Sequence, residues 1–323
     1  MKKVGIIGGS GYTGGELIRL ITHHPALELD FVYSTTRAGQ PITETHLDLL
    51  GEVEMNFTDV IQSEVDVVYL CLGHGKSRAF LEQNPFSKHT LIVDLGNDFR
   101  LQNDAQFQGR NFLYGLPEFQ RSAIEKSNAI ANPGCFATAI QLALLPLASA
   151  NKINADIHIN ATTGSTGAGV GLSETSHFSW RNNNISWYKP FTHQHLGEIK
   201  QTLKQLNTVE KIYFMPQRGA FTRGIFATVY TPFEGSLEEA KSLYKNYYAS
   251  HPFTWVADQE ISLKNVINTN YCFLHLHQHE EVLLITSVID NLIKGASGQA
   301  IQNTNLIMGW EETLGLELKA NVF

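Results

Sequence analysis

The segment Asn132-Pro133-Gly134-Cys135-Phe136-Ala137 sets a thiol directly after a Pro-Gly turn, where a helical pattern begins. Unpaired N–H groups and the positive dipole end of a helix amino terminus favour thiolate, the reactive form of cysteine. Cys135 is therefore the expected nucleophile. Cys71, inside the apolar run Val67 to Leu72, and Cys272, inside Tyr271 to Leu274, are expected to be buried structural thiols. Three cysteines at unrelated spacings give neither a disulfide framework nor a zinc knuckle.

A cysteine nucleophile needs a base. His193-Gln194-His195-Leu196-Gly197-Glu198 offers two imidazoles and a carboxylate just before another helix. One histidine can hold the thiolate as an ion pair and then protonate a substrate oxygen, while Glu198 fixes its tautomer. The spacing leaves open whether His193 or His195 does this. It slightly favours His193 as the acid–base group, with Glu198 folding back to it and His195 capping the helix. Downstream, Arg218 and Arg223 in a glycine-containing stretch are candidate clamps for carboxylate or phosphate, Arg218 first. His275, His277 and His279 alternate on one strand face without an acid or cysteine to complete a metal site, so a solvated face is expected and no metal.

At the amino end, Val4 to Ile7 runs into Gly8-Gly9-Ser10-Gly11-Tyr12-Thr13-Gly14-Gly15 and then a helix. Gly8, Gly11 and Gly14 at a first strand-to-helix turn allow backbone to approach a dinucleotide phosphate, with Ser10, Tyr12 and Thr13 beside it. After the second strand, an NAD site would usually offer a carboxylate to the ribose. Here the sequence reads Tyr33-Ser34-Thr35-Thr36-Arg37, and Ser34, Thr36 and Arg37 suit a 2′-phosphate. NADP(H) is the expected cofactor.

These residues must be carried by a scaffold. Short β-branched runs at Val4–Ile7, Leu29–Tyr33, Val65–Leu72 and Leu91–Asp94, with a helix over Gly15–Thr22, read as a doubly wound parallel sheet of Rossmann type. Beyond Cys135 come a helix over Ala137–Leu145 and alternating segments at Ile153–Ala161, Ile212–Phe214, Ile225–Tyr230 and Val282–Val288, which indicate a mixed or antiparallel sheet. Ser173–Pro190 has no clean period and reads as a helix start followed by a long loop. The fold class is α/β, with an NADP-binding domain over 1–134, an α+β catalytic and oligomerisation domain over 135–294, and a C-terminal helix over 295–323 returning to the first domain.

The chain has 323 residues, 43% hydrophobic and 17% charged, with a net charge of −7. That balance is globular, and an acidic surface argues against nucleic acid as a partner. The longest apolar stretch, near Ala139 to Leu147, is far short of the roughly 20 residues of a membrane span. Met1-Lys2-Lys3 runs straight into a strand, leaving no room for a signal peptide, so a cytoplasmic protein is expected.

The glycine loop, Asn132-Pro133-Gly134-Cys135, Gly164-Ser165-Thr166-Gly167-Ala168-Gly169, His193-Gln194-His195 with Glu198, and Asp290 to Ala300 together resemble the N-acetyl-γ-glutamyl-phosphate reductase family of arginine biosynthesis. The resemblance implies a catalytic domain like that of glyceraldehyde-3-phosphate dehydrogenase, a homo-oligomer, and NADPH-dependent reduction of a small acyl phosphate through a thioester on Cys135. It further implies that Gly73, Ser165, Gly167, Asn291 and Gln299 serve the cofactor and Asn132 the substrate. Phe136 stands where Tyr is usual, Val170 where a basic residue is usual, and Gly73 and Gly197 where Pro is usual. The lost charge at Val170 leaves the acyl substituent open between acetyl and succinyl. The rivals are aspartate-semialdehyde dehydrogenase, the related lysine-pathway reductase and, outside enzymes, a redox-sensing NADP-binding regulator.

Overall fold

The computed structural model describes residues 1–321, which divide into two compact units. The first is Met1–Pro133 with Ala296–Glu317, and the second is Gly134–Gly295 with the segment from Leu318 onward.

The first unit opens with β1 (Lys2–Ile7), α1 (Tyr12–Thr22), β2 (Leu27–Tyr33), β3 (Val67–Leu70), α2 (Ser77–Gln83) and β4 (Leu91–Asp94). A small hairpin, β5 (Gln106–Phe107) and β6 (Arg110–Asn111), precedes β7 (Leu113–Tyr114), α3 (Pro117–Ile124) and β8 (Ala129–Ala131). Six strands pair in parallel in the order β2-β1-β3-β4-β8-β7. Every residue of β3 and β4 is buried, which is why both read as continuous apolar runs without alternation. The strand order reverses between β1 and β3, the crevice where open α/β sheets bind ligands at their carboxyl ends. β3 is shorter than the expected Val65–Leu72, since the chain leaves the sheet towards a turn at Gly73, where φ is +85°.

The second unit begins with α4 (Cys135–Ser149), β9 (Ile157–Thr163), α5 (Phe178–Arg181), β10 (Ser186–Trp187), α6 (His195–Gln205) and β11 (Ile212–Arg218). It continues with β12 (Ile225–Pro232), α7 (Leu237–Tyr248), β13 (Thr254–Ala257), β14 (Cys272–His279) and β15 (Val282–Ile289). The mixed sheet runs β10-β11-β9-β12-β15-β14-β13, parallel only at β11/β9 and β13/β14. β9 and β12 alternate strictly: Ile157, Ile159, Ala161, Ile225, Ala227 and Val229 are buried, while the intervening residues are partly open. One face is thus covered, by α4 with α6 and α7 beside it.

The helix α4 is apolar all round because it is the core of this unit. Pro146 inside it has no N–H to give the Leu142 carbonyl, and the Tyr248 hydroxyl of α7 donates to that carbonyl instead. The Tyr244 hydroxyl donates to the next one, Ala143, at 2.6 Å.

Four segments depart from the sequence reading. The strand expected over Ile153–Ala161 starts at Ile157, because residues to Lys152 close the end of α4, with Asn151 at a φ of 51° and the Lys152 N–H on the Leu147 carbonyl. The strand expected to stop at Phe214 continues through Pro216 to Arg218; Pro216 needs no donor of its own, and its carbonyl accepts the Tyr188 N–H. Within Ser173–Pro190 a single 3-10 turn (Glu174–Ser176), closed by a Ser173/Ser176 capping box, leads into α5 and β10. The helix expected over 295–323 is α8 (Gly298–Ile307), after a π turn at Ile293–Ser297; Gly309 and Gly315 have positive φ and break its continuation. The last two residues of that expected helix lie outside the described residues. Among the described residues no helix is long and apolar enough to cross a membrane.

Candidate active site

Cys135 is the first residue of α4, and the extended Gly134 (φ −69°, ψ 148°) is its N-cap. Glycine supplies no capping side chain to the start of α4. The Gly134 N–H donates to Glu198 Oε2 at 2.9 Å, and the other Glu198 oxygen lies 3.9 Å from His195 Nε2. His195 and Glu198 are both buried. The His195 ring packs so closely on Gly134 that a Cβ there would meet Nε2 at 2.4 Å. On the other side, a Cβ at Gly295 would fall 2.8 Å from the Cys135 Cβ. The nucleophile candidate is therefore walled by two positions that hold no side chain.

The histidine pair is arranged differently from the expected contact between Glu198 and His193. His193 Nδ1 accepts the His195 backbone N–H at 3.2 Å, so His193 is the residue that caps the start of α6 and His195 is the one beside the carboxylate. Rings of Phe136, Tyr188 and Phe214 surround His193 at centroid distances of 5.4 to 5.6 Å from their neighbours in the cluster. Burial pushes the Tyr188 phenol up to about 12, with Cys135 acting next in the same direction and Arg218 opposing. Tyr188 was not legible as a site residue in the sequence.

Arg218 and Arg223 part company. Arg218 stacks 4.1 Å over the Tyr188 ring and donates to Thr175 Oγ1 at 3.1 Å. Arg223 forms a two-point pair with the buried Asp290, Nε to Oδ2 at 3.0 Å and Nη2 to Oδ1 at 3.2 Å. Asp290 also accepts the Asn268, Leu292 and Ile293 N–H groups. That geometry makes Arg223 an anchor for the Asp290 turn. Asn291 accepts the Gly224 N–H at 2.7 Å and donates to Thr166 Oγ1 at 3.1 Å, tying down the 3-10 turn Ser165–Ala168 that carries Ser165 and Gly167.

In the first unit, the buried Asn132 donates to the Ala296 carbonyl at 3.0 Å and accepts from Asn303 at 3.3 Å, while Arg100 holds its own carbonyl at 2.8 Å. Its amide holds the chain in place on both sides. Gln299 is fully buried in α8.

The glycine loop follows β1. Gly8 has φ +85°, and a Cβ there would meet the Cys71 carbonyl oxygen at 2.6 Å; one at Gly14 would meet Gly9 Cα at 2.6 Å. Gly11 is the N-cap of α1 with no side-chain cap, and a Cβ there would meet only the Gly8 carbonyl oxygen, at 3.9 Å. At the end of β2, Ser34 Oγ lies 3.3 Å from Ser10 Oγ and 3.4 Å from Thr36 Oγ1; the exposed Arg37 holds Gln40 at 3.2 Å. The only carboxylate of β2 near that end, Asp30, is turned to Lys3 at 3.1 Å. Gly73 is the left-handed turn after β3.

Of the other thiols, Cys272 is buried 3.5 Å from Ser287 Oγ. Cys71 is not fully buried as expected but half-buried beside the glycine loop; desolvation pushes its thiol up to about 12, with Thr13 opposing. His275 makes a 3.2 Å bond to the Ala257 carbonyl on the strand face it shares with His277 and His279. Among the described residues no group of His, Cys, Asp or Glu is placed to hold a metal ion.

A dinucleotide cradle in a parallel sheet and a cysteine at a helix start above a mixed sheet define a semialdehyde dehydrogenase, and two family models agree. The semialdehyde dehydrogenase NAD binding domain matches residues 3–127, and the semialdehyde dehydrogenase dimerisation domain matches residues 135–291. Aspartate semialdehyde dehydrogenase II from Vibrio cholerae superposes with a TM-score of 0.72 over 96% of this chain and 99% of that one, at 16% identity, a likeness of fold. The enzyme from Candida albicans, solved with NADP, also reaches 0.72, over 95% and 99% at 15% identity.

Full-length relatives narrow the class. The N-acetyl-gamma-glutamyl-phosphate reductase of Flavobacterium johnsoniae is 60% identical and that of Bacteroides thetaiotaomicron 50%, each over 100% of both chains. The chain belongs to the N-acetyl-gamma-glutamyl-phosphate reductase family.

Proposed function

We propose that the protein reduces N-acetyl-γ-glutamyl phosphate to N-acetylglutamate semialdehyde and phosphate, with NADPH as reductant. The observation that carries the reading is the Glu198 carboxylate, which binds the Gly134 N–H beside Cys135 and stands next to His195. One buried carboxylate thus positions both the nucleophile's turn and its candidate base.

In this reading the Cys135 thiolate attacks the γ-carbonyl carbon and the first N–H groups of α4 stabilise the oxyanion. The C–O bond to phosphate breaks, phosphate leaves with the bonding pair, and a thioester remains on Cys135. NADPH, when bound, would supply the hydride that reduces the thioester carbon. His195 stabilises the oxygen of the resulting thiohemiacetal as a proton donor, and collapse releases the aldehyde and returns the pair to sulfur.

The residues at the cofactor cradle fit NADP. Gly8, Gly11 and Gly14 admit the pyrophosphate backbone, and the Ser10, Ser34 and Thr36 hydroxyls with Arg37 stand where a ribose carboxylate partner is missing. The dimerisation-type domain carries an open sheet face with Tyr213, Tyr230 and Trp255, which supports a homo-oligomer formed through that face.

The test runs the reaction backwards. Purified protein should reduce NADP⁺ with N-acetylglutamate semialdehyde only when phosphate is present, faster than with aspartate semialdehyde or the N-succinyl analogue. Cys135→Ser should bind NADPH and not turn over. Equal activity with aspartate semialdehyde, or turnover by the serine variant, would overturn the assignment.

A further inference from the structure

A guanidinium is seldom buried without an acceptor, because its desolvation and its unmet N–H donors both cost free energy. Arg181, the last residue of α5, is only 9% exposed, and its Nε and Nη1 are buried with no hydrogen-bond partner. Burial first, and then the Arg218 guanidinium, push Arg181 below the ordinary range of its kind. Among the described residues neither arginine pairs with a carboxylate.

Both arginines gather round one phenol. Arg218 lies over the Tyr188 ring and is fixed by Thr175, Arg181 interacts electrostatically with the same tyrosine, and Tyr188 in turn interacts with Cys135. The free protein thus holds two like charges about Tyr188, one of them with donors left unmet. Such an arrangement suits an anion, because the planar fork of arginine matches the oxygens of carboxylate and phosphate.

We infer that Arg181 and Arg218 form a two-guanidinium clamp for an oxyanion of the substrate, with Arg181 supplying the N–H donors that the free protein leaves unsatisfied. The inference rests on the proposed reaction for the identity of that substrate, whose glutamyl carboxylate and acyl phosphate are the two sources of such an oxyanion. Nothing in the periodicity of Ser173–Pro190 singles out Arg181; its burial does.

The experiment measures how well inorganic phosphate and N-acetylglutamate, separately, protect Cys135 from iodoacetamide. In Arg181→Gln the half-protecting concentration of at least one probe should rise by about tenfold or more. A rise with phosphate assigns the clamp to the phosphoryl group, and a rise with N-acetylglutamate assigns it to the carboxylate. A folded Arg181→Gln protein in which both concentrations stay within about twofold of wild type overturns the clamp. Should that variant not fold, Arg181→Lys decides alone, since it keeps charge and loses the fork: weakened protection supports the clamp and unchanged protection rejects it. Protection requires no turnover, so a wild type inactive towards the semialdehyde would remove the proposed reaction and leave this test standing.

Discussion

His193 Nδ1 accepts the backbone N–H of His195, and this one bond separates two imidazoles between which the sequence alone leans only slightly, towards His193. His195 is the imidazole with Glu198 at its side. His195→Asn should therefore lower kcat by roughly 10²-fold or more with the thermal midpoint kept. His193→Ala should lose about 1 kcal/mol of stability through the lost cap and retain more of its kcat. The reverse pattern in kcat would move the acid–base role to His193.

The cluster of Ser10, Ser34 and Thr36 makes cofactor choice a question of charge. Wild type should prefer NADPH over NADH in kcat/KM by at least about tenfold. Ser34→Asp puts a carboxylate at the end of β2, where it repels a 2′-phosphate and can bind ribose hydroxyls, so the preference should shrink or invert. A ratio unchanged by Ser34→Asp would mean that the 2′ position is read elsewhere.

Gly295 is held against Cys135 with room for hydrogen alone. Gly295→Ala should displace the thiol and reduce kcat far more than it changes NADPH affinity, which direct cofactor titration would report. A fully active alanine variant would show that the Gly295 backbone yields freely.

Asp94, at the carboxyl end of β4, accepts the Ser77 hydroxyl at 2.6 Å and the Gly96 N–H at 2.9 Å, yet burial pushes its carboxyl up from the ordinary 3.8 to about 6. A folded-state pKa raised above the unfolded value contributes stability at low pH that is lost as pH rises through the folded pKa. Relative to wild type, Asp94→Asn should gain stability as pH rises from about 4 to about 6 and then level off, by up to roughly 3 kcal/mol. Denaturant titrations across that window check the sign; a flat difference would place the ionised carboxylate in a better environment than its burial indicates.

Much of this was legible in the chain because it depends on local rules. Gly8, Gly11 and Gly14 mark a cradle whose need for bare backbone is a matter of sequence spacing, and Cys135 after Pro133-Gly134 marks a helix start. What escaped depends on partners distant in sequence. Arg223 and Arg218 look alike in a string of letters, and only the fold sets Asp290 against one and Tyr188 beside the other. Asn132 sits in the same motif as Cys135, and only the fold shows that its amide meets Ala296 and Asn303. Tyr188 and Arg181 lie in a segment of short turns with no period to read.

The helix α4 carries Cys135 at one end and, at the other, Pro146 with its orphaned Leu142 carbonyl taken by Tyr248. A helix buried on every side, with its proline gap sealed by a neighbour, has no cheap route to partial opening. Its amides should be among the last to exchange with deuterium, and α7 should open no more readily than α4 loses its seal. The proposed nucleophile would then ride on the slowest-breathing rod of its unit, leaving any adjustment on substrate binding to segments outside that helix.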